Sequence, residues 1–245
     1  MTPEQRIIVA LDVPNSEEAL KIVRLLYQQG CCFKIGFQFM YVLLAELLHG
    51  LAKDRARIQQ IFELINGNLF WDGKLNDIPT TVGKASAILR KLEVKMFNVH
   101  ASAGLAAMKE AVANKSDALA LAVTVLTSLE ASDCEFIFGE LDVAKKVCSF
   151  AQSAVAAGMD GIVCSSQQLS ALNKYRAFDD LIRVVAGTRS EWAPANDQKR
   201  VMTPAQAVNL GADYLVIGRQ ITSPPKEIGG PAEAFLRTAE EMKGA

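Results

Sequence analysis

The chain runs to 245 residues, half of them hydrophobic, with a net charge of −1. That length supports a full core. Sparse aromatics among abundant Ala, Leu, Val and Ile favour helices packed around branched-residue strands over a disulfide scaffold or a disordered chain. Scattered Lys and Arg at near-zero charge give no footprint for nucleic acid, yet leave room for a small anionic ligand held by one or two local cations.

A cadence of short apolar runs, each followed by a helix-like pattern, organises the sequence. The first run, Ile7–Val13, leads into Asp12-Val13-Pro14-Asn15, a turn without the glycine fingerprint of an open dinucleotide-binding sheet. Asn15 and Glu18 then read as a capping box, and Gly30 can close the helix that follows. The second run, Cys31–Gly36, carries Lys34 near its end. The third, Asn68–Lys74, brings Asp72 and Lys74 to a terminus that continues through Asp77 to Pro79. Five more follow: Val94–His100, Ala118–Thr124, Gly161–Ser165, Ile182–Gly187 and Tyr214–Arg219, with Thr203-Pro204 between the last two marking a helix start. Eight continuous apolar strands alternating with helices predict a parallel sheet closed into a (β/α)8 TIM barrel, an α/β fold. No linker or compositional break divides it, so one domain over residues 1–245 is expected.

Five cysteines at 31, 32, 134, 148 and 164 form no Cys-x-x-Cys or Cys/His cluster, so free buried thiols are expected. The N-terminus reaches Glu4, Arg6 and Asp12 without a signal-peptide core, and the apolar stretch Ala118–Val123 is too short to span a bilayer. A cytoplasmic protein away from membranes is the expectation. No carboxylate or histidine set has metal-ligand spacing, so no metal or cofactor is expected. Gly67 to Lys74 has the wrong spacing for a Walker loop, and Leu75 stands where Ser or Thr is required.

In a (β/α) barrel the C-terminal strand ends share one mouth. Here they supply Asp12, Lys34, Asp72, Lys74, His100, Thr124, Ser165, Arg189 and Arg219. Charges at the end of a buried strand are costly unless paired, so Lys34, Asp72, Lys74 and Asp77 read as an alternating array suited to moving protons or charge. His100 reads as a hydrogen-bonded structural histidine, His49 as a helix-surface residue and Thr203 as a cap. Gly187-Thr188-Arg189 and Ile217-Gly218-Arg219, with Gln198 nearby, fall where such barrels cradle phosphate.

Asp72-Gly73-Lys74-Leu75-Asn76-Asp77-Ile78-Pro79-Thr80-Thr81 resembles the signature of the orotidine 5′-phosphate decarboxylase family. So, in order, do Ala10-Leu11-Asp12, Phe33-Lys34-Ile35-Gly36, Asn98-Val99-His100-Ala101-Ser102, Val123 to Ser128, Val163-Cys164-Ser165, Asp197 to Pro204, and Gly211 to Arg219. The family usually carries leucine or a similar residue at Gly73, histidine at Asn76, asparagine at Thr80 and proline at Ala186.

The resemblance implies cofactor-free conversion of orotidine 5′-monophosphate to uridine 5′-monophosphate and CO2, the last step of de novo pyrimidine synthesis. Lys34, Asp72, Lys74 and Asp77 would be the charged tetrad, with Lys74 stabilising and protonating a C6 carbanion. Asp77 would reach the neighbouring subunit's site in a homodimer. Asp12 and Lys34 would meet ribose hydroxyls, and Thr127 and Ser128 the pyrimidine edge. Thr81 would also bind substrate. Gln198, Gly218 and Arg219 would hold phosphate, with Arg189 adjacent. Two other readings share these residues: a sugar-phosphate decarboxylase or hexulose-phosphate synthase using Mg2+ and an enediolate, and a non-catalytic phosphoribosyl-binding barrel. Fold alone does not separate them.

Overall fold

The computed structural model describes residues 1–194 and 202–245. In chain order its elements are β1 (Ile7–Ala10), α1 (Ser16–Leu26), β2 (Cys32–Ile35), α2 (Phe37–His49), α3 (Ala52–Ile65), β3 (Leu69–Leu75), α4 (Pro79–Leu89), β4 (Met96–His100), α5 (Leu105–Asn114) and β5 (Leu119–Val123). There follow α6 (Ala131–Phe138), α7 (Val143–Ala157), β6 (Gly161–Ser165), α8 (Leu169–Leu172), β7 (Ile182–Ala186), α9 (Pro204–Asn209), β8 (Tyr214–Ile217), α10 (Arg219–Thr222) and α11 (Pro231–Glu241). Each of the eight apolar runs carries a strand. All pairings are parallel, and β8 returns to pair with β1, Ile7 lying opposite Leu215, so the sheet closes into the expected barrel.

The helices form where the sequence punctuates them. The Asn15 side chain accepts from the Glu18 N–H at 2.9 Å, capping α1. The reciprocal limb differs from the expected box: the Glu18 carboxylate accepts from the Asn15 side-chain amide, not its backbone. Ala19, Ile22, Val23 and Leu26 recur on one face and are buried against the sheet. After one 3-10 turn, Gly30 takes φ +78°, a left-handed conformation that glycine adopts at little cost. Thr203 caps α9 reciprocally with Gln206, with Pro204 at the first helical position.

Two apolar clusters result. The larger packs the outer strand faces against the helices. The smaller joins Ile8, Cys32, Phe70, Met96, Leu121, Val184 and Tyr214, and its members Ile8 and Cys32, Phe70 and Met96, and Val184 and Tyr214 are register partners. These residues fill the barrel interior in a layer that is staggered from strand to strand, Phe70 lying opposite Lys34 and Leu121 opposite Asn98. Side chains alternate along a strand, so two residues further on the same inward face carries Ala10, Lys34, Asp72 and Asn98. An apolar plug therefore forms the floor on which the charged residues stand. Among the described residues no helix is long and apolar enough to cross a membrane.

Candidate active site

Asp72 is the hub of the mouth. Its Oδ1 accepts from the Lys74 ammonium at 2.7 Å, and its Oδ2 lies 3.1 Å from the Lys34 ammonium. Lys34 also meets Asp12 at 3.3 Å. The four charges thus form one chain, Asp12–Lys34–Asp72–Lys74. Its centre is dry: the side chains of Lys34 and Asp72 are 9 % and 10 % exposed. Burial works to raise the Asp72 carboxyl, but the charges of Lys34 and Lys74, with hydrogen bonds from Lys74 and Asn98, outweigh it. The net effect holds that carboxyl below the usual carboxylate range.

Reaching this arrangement requires an irregular β3. Trp71 pairs with Phe97 and Leu75 with Val99, so β3 spends more residues than β4 over the same span. Lys74 absorbs the excess at φ +42°, a left-handed conformation that is strained for lysine. Asn98, 1 % exposed, holds this bulge in place. Its Oδ1 accepts from the Lys74 backbone N–H at 2.7 Å, and its side-chain amide donates to Asp72 Oδ1, also at 2.7 Å. One side chain therefore fixes both the Lys74 backbone and the Asp72 carboxylate. The sequence alone places Asn98 in a motif and gives it no role. The signal that could have found it is its position beside Asp72 on the inward face of the next strand.

Two glycines leave room around the cluster. A Cβ at Gly36 would come within 2.7 Å of the Lys34 ammonium and 3.6 Å of Asp72. A Cβ at Gly73 would stand 3.1 Å from the Trp71 indole, so in this chain Trp71 takes the space beside that position.

The other expected residues divide. Asp77 is exposed and not drawn into the cluster of its own chain; its carboxylate accepts from the Ile78 N–H at 2.7 Å. Thr81 lies exposed in the first turn of α4, and Thr127 and Ser128 lie exposed in the loop after β5. Arg189 follows β7, its backbone N–H donating to Met202, while Gly218 and exposed Arg219 follow β8. Gln198 lies outside the described residues. Thr124 donates to Val163 and Ser165 caps a 3-10 turn, so both serve the backbone.

His100 departs from the expectation of a hydrogen-bonded histidine. Among the described residues its imidazole makes no hydrogen bond, while its backbone belongs to the β4–β5 pairing. Burial first, and the Lys74 charge second, hold its imidazole below the ordinary value, against the pull of Asp72. His49 is exposed on α2, as expected. The five cysteines are unpaired, and burial pushes the Cys32 and Cys164 thiols up to about 12. Among the described residues no three His, Cys, Asp or Glu side chains gather as metal ligands.

Alternating carboxylates and ammoniums at the mouth of a closed parallel barrel, with arginine-bearing turns after β7 and β8, mark a (β/α)8-barrel enzyme. The chain belongs to the orotidine 5′-phosphate decarboxylase / HUMPS family, whose sequence profile matches residues 5–228. An orotidine 5′-phosphate decarboxylase of Heliobacterium modesticaldum is 38 % identical, with 99 % of this chain and 97 % of that one covered. The protein of the same name from Moorella thermoacetica is 37 % identical, with 99 % and 95 % covered. Among solved structures, an orotidine 5′-phosphate decarboxylase from Lactobacillus acidophilus has a TM-score of 0.76 at 28 % identity, covering 98 % of this chain and 100 % of that one.

Asn98→Ala removes a charge-assisted hydrogen bond and the acceptor for a strained backbone N–H. It should cost about 2–4 kcal/mol of stability, read by denaturant unfolding. A loss below about 0.5 kcal/mol, within the range of an ordinary surface substitution, would contradict the role.

Proposed function

We propose that this chain decarboxylates orotidine 5′-monophosphate to uridine 5′-monophosphate and CO2, without metal or prosthetic group, as the last step of de novo pyrimidine nucleotide synthesis. The observation that carries the reading is the Asp12–Lys34–Asp72–Lys74 chain at the barrel mouth, in a protein whose relatives bear the decarboxylase name. A cytoplasmic setting suits its five unpaired cysteines.

The chemistry follows from those charges. When the bond from C6 to the carboxylate breaks, CO2 departs and the electron pair stays in an in-plane orbital at C6 that the ring cannot delocalise. Preorganised charge is what this protein supplies against that barrier. Lys74 supplies it most directly. Its ammonium stabilises the carbanion and then transfers a proton from Nζ to C6. Asp72 holds Lys74 in position and lies on the side from which the carboxylate leaves. Lys34 and Asp12 bind ribose hydroxyls. Thr127 and Ser128 bind the pyrimidine edge, and Thr81 contributes to the same pocket. Arg219, Gly218, Arg189 and Gln198 hold the phosphate, which supplies binding energy remote from the reacting carbon.

The working unit is a homodimer in which Asp77 completes the partner's tetrad. Two observations support this. Asp77 is exposed and turned to its own backbone, beside exposed Ile78. Next to Lys74, α2 opens a stripe of exposed apolar residues, Phe37, Tyr41, Leu44 and Leu48, continued by Leu51. The Phe37 ring lies 5.7 Å from the Lys74 ammonium, so the stripe begins at the site itself. A face of that kind, continuous with an incomplete charge array, suits a second copy of the chain.

Purified protein should deplete orotidylate absorbance at the same rate with and without chelator; no turnover, or turnover lost to chelator, would contradict the reading. Lys74→Ala should lower turnover by at least about a thousandfold while leaving uridylate binding measurable by calorimetry. Near-normal turnover would remove the lysine from its role. Mixed after subunit exchange, inactive Lys74→Ala and Asp77→Ala proteins should regain roughly a quarter of wild-type activity, since half the dimers then carry one intact site of two. No recovery despite demonstrated exchange would rule out the shared site.

A further inference from the structure

Behind the two arginine-bearing turns lies a buried polar network that the proposed chemistry does not use. Ser190 directly follows Arg189, and Gln220 directly follows Arg219. These two neighbours are bonded to each other twice. The Ser190 backbone N–H donates to Gln220 Oε1 at 2.9 Å, and Gln220 Nε2 donates to Ser190 Oγ at 2.7 Å. Both residues are buried, at 1 % and 2 % exposure. The ring of two bonds therefore joins the turn after β7 to the turn after β8, one residue beyond each arginine.

The rest of the network fixes the direction of every donor. Gln220 Nε2 also donates to Thr238 at 3.0 Å, and Thr238 donates onward to the Ala234 carbonyl at 2.7 Å. Ser190 Oγ donates to Glu241 Oε2 at 2.6 Å, while the other Glu241 oxygen accepts from the Trp192 indole. Arg237 lies over that indole, 5.3 Å from its ring. Gln220 thus has one accepted and two donated bonds, and its amide can take only one orientation, because its oxygen must face the Ser190 N–H. A satisfied buried network of this kind is rigid, and losing one member leaves others unpaired in a dry setting.

We propose that Gln220, through its paired bonds to Ser190 and its anchor on α11, is a positioning residue that sets the spacing of Arg189 and Arg219 and thereby the grip on the substrate's phosphate. Two arginines on separate turns can clamp one phosphate only if the turns keep a fixed separation, and the backbone ladder has already ended before both of them. The Ser190–Gln220 ring takes over where the β7–β8 pairing stops. The proposal rests on the phosphate role given to these arginines above.

The test compares inhibition constants of uridine 5′-monophosphate and of uridine, which differ by the phosphate alone. In the wild type the nucleotide should bind far more tightly. Gln220→Met keeps the volume and removes the bonds. It should lower nucleotide affinity about tenfold, leave uridine affinity unchanged, and raise KM for orotidylate by more than it lowers kcat. Ser190→Ala, which keeps the backbone bond, should shift the same ratio by a smaller factor in the same direction, and serves if the first variant does not fold. An unchanged ratio in folded variants, or equal losses for nucleotide and nucleoside, would overturn the proposal. A wild type with no preference for the nucleotide would instead overturn the phosphate role beneath it.

Discussion

A carboxylate buried between two ammoniums is the constraint from which the rest of the mouth follows. Removing Asp72 from water costs several kcal/mol, and so does removing Lys34. Neither would be tolerated alone. Together, with Lys74 on the second oxygen and the Asn98 amide beside it, each buried charge has a partner of opposite sign or a hydrogen bond. The arrangement is also crowded: a single methyl group at Gly36 would press on the Lys34 ammonium. Removal of either neighbour of Asp72 would leave a charge in a dry site, so the array behaves as a unit.

The barrel makes such an array possible. Parallel strands bring Lys34, Asp72 and Asn98 to the same inward-facing mouth, staggered so that Lys34 lies opposite Phe70 and Asp72 falls two residues further along β3, and the layer beneath them, from Ile8 to Tyr214, excludes water from below. Low polarisability beneath fixed charges strengthens the field that they project into the mouth. At the far side of the mouth, the Ser190–Gln220 ring extends that rigidity past the strand ends toward the arginines.

Much of this is legible in the residues. The eight apolar runs mark all eight strands, because buried parallel strands need continuous apolar sequence. Lys34, Asp72 and Lys74 stand out because charges rarely end such runs. What cannot be read depends on register. The bulge in β3 and the left-handed Lys74 emerge only once Leu75 is matched to Val99. Asn98 is an ordinary polar residue until the pairing sets it against Asp72. Among the described residues the side-chain hydrogen bond expected of His100 does not form, because its surroundings are set by other strands and no local pattern encodes them. Ser190, Gln220, Thr238 and Glu241 are too far apart in sequence for any local pattern to join them.

Asp72 also sets the pH behaviour. Its folded-state pKa lies below the unfolded value, so its contribution to stability is present above the ordinary carboxylate pKa and is lost as pH falls through the depressed one. The most direct measurement is a carbon-13 NMR titration of the aspartate carboxyls in the ligand-free protein, with Asp72 assigned by its absence from Asp72→Asn. The account predicts a midpoint below 3.8 for Asp72. A midpoint at or above that value would mean that the two ammoniums do not hold the carboxylate charged, and the preformed array would not exist.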